Sequence, residues 1–379
     1  MNYLRRKKLS KPIKILYING NIMKRGGIES FMMNYFRNID KNRIHIDFVV
    51  HGFDEGVYDK EILASGSKIF HVPTKSKHPF SYEKYMRGIF NSGEYQIVHS
   101  HLDAMSGWVL KIAKQCNIPV RIAHSHNTDH LTTNKIKYFI NEHYRKNICK
   151  YATHCFACSE DAGKWLFGNN EFKIICNAIN LKDYKFDPNS RRLLRDKHNL
   201  SNEYVIGHVG RFDYQKNQEF LVNVLKRLKN HKEKVKLVFV GSGTDRSAVI
   251  KMAKDKKLKS DIIFIDSCSN VNEYYSVFDC FVLPSRFEGL GIVAIEAQVN
   301  NLPCILSNTV PKSVKISNNV SYLGIDDPEK WAKQIIEYKK LSRDTAILDD
   351  IEVKKYDIVN AAYKLCDIYE SILADSKKK

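Results

Sequence analysis

Short apolar runs rich in β-branched residues alternate along the chain with longer amphipathic segments. In the first half, apolar residues three and four positions apart predict helices over Ile28–Ile39 and Met105–Cys116. Strand–helix alternation of this kind is typical of a parallel, doubly wound sheet. The predicted strands are Ile13–Asn19, Ile44–Val50, Lys68–Val72, Tyr95–His99, Val120–Ala123 and His154–Ala157.

The same pattern restarts near residue 204 and predicts a second doubly wound domain. A polar, charged stretch, Asp183–Asn202, is the predicted linker, and Val353–Leu373 is predicted to be one amphipathic helix. The predicted strands are Tyr204–Val209, Val235–Val240, Ile262–Ile265, Cys280–Leu283 and Cys304–Leu306. The predicted helices are Gln218–Asn230, Arg246–Asp255, Asn272–Val277 and Ile292–Gln298.

The sequence therefore predicts an α/β protein of two Rossmann-like, doubly wound domains that face a central cleft. Residues 1–183 would form the first domain and residues 184–352 the second, and residues 353–379 would follow as a C-terminal helix. Ligands of such sheets bind at the carboxyl ends of the strands, so the chemistry is expected in the loops that follow strands.

Composition is that of an ordinary globular protein, since 43% of the 379 residues are hydrophobic and 27% are charged. Collagen-like and largely disordered chains are therefore excluded. No apolar run approaches the roughly 18 residues of a membrane-spanning helix, and the basic segment Met1–Lys11 is a poor signal peptide. The nine cysteines fit no metal spacing. We expect a protein with reduced thiols in the cytoplasm, at the inner face of the cell membrane.

Positive charge is concentrated in the first half of the chain. Residues 1–183 hold 28 Lys and Arg against 16 Asp and Glu, a formal charge of +12 out of +19 for the whole chain. This excess suggests an anionic partner such as nucleic acid, anionic lipid or a phosphorylated substrate, although a solvated basic surface is the alternative. No helix carries a dense basic stripe, so nucleic acid is not the favoured partner.

Two cations in the loop after Tyr204–Val209 suit a diphosphate. Arg211 offers a planar fork of donors and Lys216 a point charge, and a predicted helix follows them. The sequence has no P-loop motif, so a P-loop nucleotide hydrolase is not expected. Solvated surface charge is the alternative interpretation of both residues.

A second loop places two glycines between two glutamates. Glu288 precedes Gly289 and Gly291, and Glu296 lies about one turn into the next predicted helix, where it would face the same cleft. Amides at a helix start bind anions, whereas carboxylates accept hydrogen bonds from paired hydroxyls. With the cationic loop, this combination predicts a nucleotide sugar. An exposed loop glutamate and a salt-bridged helix glutamate are the alternative.

Two glycine-rich turns follow other predicted strands. Gly26 and Gly27 open a helix after the first strand and would leave bare amides at its start, although a flexible turn explains them as well. The run Gly241-Ser242-Gly243 allows a ligand close to the backbone, but a single G-x-G is often just a turn.

Histidines cluster after two neighbouring strands of the first half. His99 and His101 follow one strand, and His124 and His126 follow the next. Asp103 is the one further ligand type at a suitable spacing, so we expect no metal centre. A histidine here is better explained as a hydrogen-bond donor to a substrate oxygen.

Taken together, these motifs resemble those of the retaining GT-B glycosyltransferases of family 4, also called glycosyl transferases group 1. The likeness runs through nearly the whole chain and is most specific in the second half, where E-x7-E, GR-x4-K and VG-x-G elements occur together. Arg121–Asn127 is similar to a subgroup that builds bacterial surface polysaccharides. The matching segments are Gly26–Glu29, Asn177–Asn180, Arg211–Lys216, Val240–Gly243 and Glu288–Glu296.

The resemblance implies that residues 1–183 are the acceptor-side domain, that residues 184–352 are the nucleotide-sugar-binding domain, and that residues 353–379 cross back to the first domain as a helix. It also implies a role for each matching residue. Arg211 and Lys216 would hold the donor diphosphate, Glu288 would contact the transferred sugar, and Glu296 would bind the ribose. His126 would lie near the reacting centre, with His124 as the competing assignment. The implied catalytic residues are Glu288, His126, Arg211 and Lys216. The implied donor-binding residues are Gly26, Gly27, Arg211, Lys216, Gly241, Ser242, Glu288, Gly289, Leu290, Gly291 and Glu296.

The main hypothesis is an enzyme that moves a sugar, with retention, from a UDP-sugar to a hydroxyl of a saccharide or polyprenyl-linked saccharide. The pathway would be bacterial exopolysaccharide or capsule synthesis, at an anionic membrane. The resemblance implies no cofactor and no obligate metal, and the chain has no D-x-D sequence. The alternatives are a non-catalytic sugar-nucleotide-binding partner of a glycosyltransferase complex and, within the enzymes, a GT-B phosphorylase or epimerase.

Overall fold

The computed structural model describes residues 11–74, 78–93, 95–130, 132, 134–343 and 350–378. The basic N-terminal segment is Met1–Lys11, and its last residue, Lys11, is the one that lies within these ranges. The chain divides into two compact units, one formed by Met1–Ala178 with Ile358–Lys379 and the other by Ile179–Asp357. These boundaries fall a few residues from the predicted ones, after 178 instead of 183 and after 357 instead of 352.

The first unit is built on a parallel sheet of seven strands in the order β3-β2-β1-β4-β5-β6-β7. The strands are β1 Ile13–Ile18, β2 Ile44–His51, β3 Ile69–Val72, β4 Ile97–Ser100, β5 Val120–Ser125, β6 His154–Ala157 and β7 Lys173–Ile174. The helices are α1 Gly27–Asn38, α2 Asp59–Ala64, α3 Pro79–Asn91, α4 Ser106–Gln115, α5 Lys135–Asn147 and α6 Glu160–Phe167.

The second unit repeats the design with a parallel sheet of six strands in the order β10-β9-β8-β11-β12-β13. Its strands are β8 Tyr204–Val209, β9 Val235–Val240, β10 Ile262–Ile265, β11 Cys280–Leu283, β12 Cys304–Ser307 and β13 Val320–Leu323. Its helices are α7 Pro188–Lys197, α8 Gln218–Asn230, α9 Arg246–Asp255, α10 Val271–Val277, α11 Ile292–Val299, α12 Pro328–Tyr338 and α13 Asp350–Lys355.

The predicted fold class is confirmed, because both sheets are parallel and doubly wound. The strand order reverses beside β1, which pairs with β2 on one side and β4 on the other. In the second unit it reverses beside β8, which pairs with β9 and β11. Loops at these switch points are where ligands of open α/β sheets bind.

The final helix, α14 Ile358–Ser376, packs on the first unit. Its buried side chains, among them Leu365, Tyr369 and Leu373, join a core that includes Ile15 and Phe31. Burial of apolar surface against β1 and α1 therefore fixes the chain's last segment to the domain formed by its first.

Two predictions about connecting segments are wrong. The stretch Asp183–Asn202 is not a plain linker, because it contains α7. That helix starts at Pro188, and the carboxylate of Asp187 accepts hydrogen bonds from the amides of Asn189 and Ser190. This Asp-Pro start is a helix signal, because proline favours the first turn and aspartate caps the free amides.

The predicted single helix Val353–Leu373 is in fact two helices, α13 and α14. The amide of Ile179 donates to the carbonyl of Tyr356 at 2.9 Å, and Ile179 forms a parallel bridge with Asp357. This pairing takes Tyr356 and Asp357 out of the helical path. The strands β7 and β13 were also not predicted, and both are short edge strands. Within the described ranges, no helix combines the length and apolar character needed to cross a membrane.

Candidate active site

In the second unit, the loop after β8 is joined to the loop after β9 by backbone hydrogen bonds. The amide of Gly210 donates to the carbonyl of Val240, and that of Phe212 to the carbonyl of Ser242, both at 3.0 Å. Gly241 has a φ of +149°, and a Cβ there would lie 2.1 Å from the carbonyl oxygen of Gly210. Only glycine allows this close approach, so the predicted G-x-G turn positions the loop that carries Arg211.

Asp213 contacts both residues that are predicted to bind the diphosphate, Arg211 and Lys216. One oxygen of its carboxylate accepts a hydrogen bond from Arg211 Nε at 2.6 Å, and the other accepts from the amide of Lys216 at 3.1 Å. Gln218 Nε2 donates to the carbonyl of Arg211 at 2.8 Å. The side chain of Arg211 is 64% exposed, so its guanidinium is accessible to a ligand.

Glu288 connects the loops after β8 and β11. Its Oε1 atom lies 2.5 Å from Lys216 Nζ and accepts a hydrogen bond from Ser285 Oγ at 2.6 Å. Gln215 Nε2 lies 3.4 Å from Oε2 of the same carboxylate. Glu288 is 4% exposed and the Lys216 side chain 16% exposed, so this is a partly buried ion pair, whose desolvation is offset by close geometry and further hydrogen bonds. The structure thus brings Lys216 and Glu288 together.

The glycine-rich segment after Glu288 forms the start of α11. Gly291 precedes the helix with a φ of +84°, a left-handed conformation that favours glycine. Leu290 is buried, 3% exposed, and Gly289 is buried as well. The segment therefore delivers the backbone amides at the helix start to the side of the Lys216–Glu288 pair.

Glu296, predicted to face the cleft and hold a ribose, is buried in this structure. Its Oε2 atom accepts a hydrogen bond from the Tyr275 hydroxyl at 2.5 Å. Burial raises the pKa of Glu296, although the hydrogen bond from Tyr275 opposes the rise. A ribose would therefore have to share this carboxylate with Tyr275, a partner on α10 that the sequence does not predict. No local sequence motif predicts this contact between Glu296 and Tyr275.

His208, which the sequence also does not predict as a site residue, supports the loop that carries Arg211 and Lys216. Its Nδ1 atom lies 2.9 Å from the carbonyl oxygen of Val282, and its Nε2 atom 3.2 Å from Gln218 Nε2. Burial lowers the pKa of His208 to about 4, so the ring is neutral and donates to the carbonyl while accepting from the amide. It joins β8, β11 and α8 without adding charge.

In the first unit, the start of α1 differs from its prediction. The helix begins at Gly27, but the carboxylate of Glu29 lies against Gly26, where a Cβ would come within 2.4 Å of Oε2. Asn19 Nδ2 donates to Glu29 Oε1 at 3.1 Å. The helix start is therefore not bare, because a carboxylate of its own first turn offsets its positive end.

The strand-end histidines form one buried group, which we call the histidine ladder: His99, His101, His124 and His126. His99 Nε2 lies 3.0 Å from His124 Nδ1, and His101 Nδ1 lies 2.9 Å from His126 Nε2. The rings of His99 and His101 lie 4.2 Å apart, as do those of His124 and His126. The ladder is thus two hydrogen-bonded imidazole pairs stacked on each other.

Two tyrosines extend the ladder towards α14. The Tyr369 hydroxyl lies 2.7 Å from His99 Nδ1 and 2.9 Å from the Tyr17 hydroxyl. Burial lowers the pKa of every ladder histidine well below its ordinary range, that of His126 to about 3. All four rings are therefore neutral at pH 7, and within each pair the N–H of one ring donates to the unprotonated nitrogen of the other.

Three members of the ladder have the spacing of metal ligands. One nitrogen from each of His99, His101 and His124 lies within 4.8 Å of the others. The rings of His99 and His124 are within 5° of parallel, and His99 Nε2 and His124 Nδ1 share a hydrogen bond, so each of these two nitrogens already has a partner. This geometry favours a hydrogen-bonded ladder, and the expectation of no metal stays a prediction.

Asp103 positions His126, one of the two competing histidines, from outside the ladder. Its carboxylate accepts hydrogen bonds from the amide of His126 and from Asn127 Nδ2, both at 2.7 Å. Burial raises the pKa of Asp103, and the residue has a φ of +47°, which is rare for aspartate. Such local strain is typical of functional loops. The structure leaves both His124 and His126 buried, 0% and 7% exposed.

A pocket of about 150 Å³ opens beside Asp103 in the first unit. Carboxylate, imidazole and amide groups share its wall with one tryptophan, a combination suited to hydroxyl-rich ligands. Its lining residues are Leu102, Asp103, Ala104, Met105, Asp129, His130, Asn141 and Trp165.

Comparison with known proteins identifies the family. Residues 190–350 match the profile of the glycosyl transferases group 1, and residues 25–183 match that of glycosyltransferase family 4. EpsF of Bacillus subtilis strain 168, assigned as a glycosyltransferase, is 33% identical over 329 residues, which are 83% of this chain and 84% of EpsF. The chain belongs to the group 1 glycosyltransferases of family 4.

This glycosyltransferase is similar in sequence to one further protein, and in fold to another, along nearly its whole length. The capsular polysaccharide biosynthesis glycosyltransferase CapH of Staphylococcus aureus is 26% identical over 379 residues, covering 95% of this chain and 99% of CapH. HepE of Anabaena, solved in complex with UDP and glucose, superposes with a TM-score of 0.78 at 16% identity, covering 95% of this chain and 100% of that one. The fold of this glycosyltransferase is therefore GT-B, as predicted.

Proposed function

We propose that this glycosyltransferase moves a sugar, with retention, from a UDP-sugar to a hydroxyl of a saccharide or lipid-linked saccharide. The proposed process is assembly of a bacterial capsule or exopolysaccharide, as the name of the relative CapH suggests. A donor linked to UDP is supported by the neighbour HepE, which was solved with UDP.

The observation that carries the proposal is the partly buried Lys216–Glu288 pair in the same loop system as the exposed Arg211. An arriving diphosphate would attract both cations, because its charge exceeds that of one carboxylate. Glu288 would then be free to accept hydrogen bonds from hydroxyls of the transferred sugar. Charge that develops on the leaving diphosphate would be stabilised by Arg211, Lys216 and the amides at the start of α11.

The remaining donor contacts follow from the same loops. Gly241 and Ser242 would bring backbone to the nucleotide, and Glu296 would accept a hydrogen bond from a ribose hydroxyl. We propose that the leaving phosphate takes the acceptor's proton on the same face of the sugar, so that no cofactor and no metal is needed. Activity in EDTA tests that part.

The acceptor would bind to the first unit, in the pocket beside Asp103. Asp129 and Asn141 offer partners for hydroxyls, and Trp165 offers an aromatic surface. His126 would lie near the reacting hydroxyl, held in place by Asp103.

The test is calorimetric titration of the purified protein with UDP-, GDP- and ADP-sugars in EDTA. We expect saturable binding of one UDP-sugar and a loss of affinity of about 10- to 100-fold in Arg211→Ala, because one charge-assisted contact is removed. Arg192→Ala, which removes an exposed arginine on α7, is the matched control and should bind normally. Equal binding by both variants would contradict the assignment of Arg211.

The non-catalytic alternative is tested by product analysis. An active enzyme turns over the bound UDP-sugar with a saccharide acceptor, and nuclear magnetic resonance of the new linkage reports whether the anomeric configuration is retained. Binding without turnover of any acceptor would favour a sugar-nucleotide-binding partner instead.

A further inference from the structure

The outer side of α5 carries an apolar surface where an ordinary surface helix carries polar residues. Ile136 and Phe139 are each 72% exposed and Ile140 is 46% exposed. These residues are spaced three and four apart, so they lie on one side of the helix. We call this surface, formed by Ile136, Phe139 and Ile140, the α5 face.

The helix is held in place near its C-terminal end. The ring of Tyr144 stacks on Trp108 with centroids 5.7 Å apart and planes within 6° of parallel. Arg145 donates to the carboxylate of Glu142 at 2.7 Å and to the carbonyl of Trp165 at 2.6 Å. The α5 face is therefore presented to solvent by a helix that is already docked. Contiguous exposed apolar surface of this kind marks an interaction site.

Positive charge surrounds the α5 face. Lys135, Lys137 and Lys146 are exposed on the same helix, and Lys146 Nζ lies 3.8 Å from Glu142 Oε1. The first half of the chain, to which α5 belongs, has a formal charge of +12. An apolar stripe flanked by lysines is the pattern of helices that lie in the interface of an anionic bilayer.

We propose that the α5 face docks this protein on an anionic lipid surface. Ile136, Phe139 and Ile140 would enter the boundary between headgroups and acyl chains, and the lysines would contact the headgroup phosphates. A second copy of the chain fits less well, because a symmetric contact through α5 would bring the lysines of both copies together.

The location of α5 connects the docking surface to the chemistry. Asn141 on α5 lines the same pocket as Asp103, which we propose holds the acceptor. Docking through α5 would therefore bring this pocket close to the bilayer, where a lipid-linked acceptor lies. The inference thus rests on the proposed function for its biological purpose, while lipid binding itself is measurable without any transfer reaction.

The experiment is co-sedimentation of the full chain with vesicles of phosphatidylcholine, alone or mixed with phosphatidylglycerol. We expect binding to the mixed vesicles that weakens with added salt, and a loss of at least about tenfold in Ile136→Ser/Phe139→Ser. Phe80→Ser is the matched control, because Phe80 is a 91% exposed aromatic residue on α3 of the same unit. That control should bind like the unmodified protein. Lys135→Gln/Lys137→Gln should weaken binding and reduce its salt dependence.

Other outcomes overturn the proposal. Equal vesicle binding by the double serine variant and the unmodified protein would exclude the α5 face, as would a loss of the same size in Phe80→Ser. A dimer in light scattering that the serine variant converts to monomer would show that a second copy covers the face. UDP-sugar titration separates the proposed transfer function from the proposed docking surface. A serine variant that binds the donor normally but no longer binds vesicles supports both proposals. An unmodified protein that binds vesicles but no UDP-sugar supports only the docking surface.

Discussion

The two units differ in the electrostatics of the loops and strand ends at the carboxyl edges of their sheets: those of the second unit carry charged side chains, and those of the first carry neutral ones. At the switch point of the second unit, Arg211, Lys216 and Glu288 supply full charges. At the strand ends of the first unit, the histidine ladder is neutral and gains its order from hydrogen bonds and ring stacking. The difference suits the ligands proposed for each: a dianionic diphosphate needs compensating charge, whereas a neutral acceptor hydroxyl does not.

The charged site and the neutral site also differ in what can change when a ligand binds. An ion pair such as Lys216–Glu288 can exchange its internal partner for a ligand, because a diphosphate restores the lost attraction. At the neutral site, one chain of hydrogen bonds links the ladder histidines His124 and His99 to Tyr369 and then to Tyr17. Neutralising one site and ionising the other are therefore the direct ways to test the comparison.

The largest effect is expected when the charged site loses its carboxylate. Glu288→Gln keeps the shape of the side chain and an acceptor for Ser285, but it removes the charge that faces Lys216. We expect sugar transfer to fall about 100- to 1000-fold, as for other lost electrostatic contacts, while UDP-sugar affinity changes less than about tenfold. Initial rates and calorimetry on the same preparation measure the two.

The control for this variant is Glu219→Gln, at an exposed position on α8 of the same unit. Its transfer rate and donor affinity should match those of the unmodified protein. A Glu288→Gln variant that loses transfer and donor binding by the same factor would contradict a role of Glu288 in contacting the transferred sugar, since it would then act only through the diphosphate site.

A fall in pH should first destabilise the neutral site, which is the histidine ladder. Burial lowers the pKa of the four ladder histidines in the folded protein, so below about pH 6.5 the unfolded chain binds more protons. The free energy of unfolding should therefore drop as the pH falls through 6.5, by up to about 1.4 kcal/mol per pH unit for each histidine that stays neutral. Burial raises the pKa of Asp103, which opposes this drop in more acidic solution.

Urea unfolding between pH 7.5 and 5.5, monitored by amide exchange in β4 and β5, measures this slope. His124→Phe removes one titrating ring and should give a shallower slope, whereas His231→Phe, at an exposed position in the second unit, should leave the slope in β4 and β5 unchanged. Identical slopes in the His124 variant and the unmodified protein would show that the ladder does not stay neutral.

The sequence predicts the charged site better than the neutral one, for a physical reason. Arg211, Lys216 and Glu288 follow strands whose apolar runs are unmistakable, and parallel strands bring their carboxyl ends to one edge. The 72-residue separation of Lys216 and Glu288 is thus bridged by the sheet itself. Their mutual contact and the support from Asp213 and Ser285 still required side-chain geometry.

The neutral site depends on contacts that no local pattern reports. His99 meets Tyr369 across 270 residues of sequence, because α14 packs on a sheet formed near the other end of the chain. The helix α5 was also not predicted, although Ile136, Phe139 and Ile140 have the three- and four-residue spacing typical of a helix. The contact with Tyr369 depends on long-range packing, whereas the pattern that indicates α5 is present in the sequence.

The smallest effect is expected where the ladder meets α14. Tyr369→Phe removes the hydroxyl that lies between Tyr17 and His99, and leaves two buried polar atoms without this partner. Because a buried polar group without a hydrogen bond costs about 1–3 kcal/mol, the free energy of unfolding of the full chain should fall by that amount at pH 7.5. Tyr363→Phe makes the same chemical change on the same helix, at a side chain that is 57% exposed, and should change stability by less than about 0.5 kcal/mol. A larger loss in Tyr369→Phe than in Tyr363→Phe would show that the neutral site is stabilised through its hydrogen-bond chain, and equal losses would assign its stability to ring packing alone.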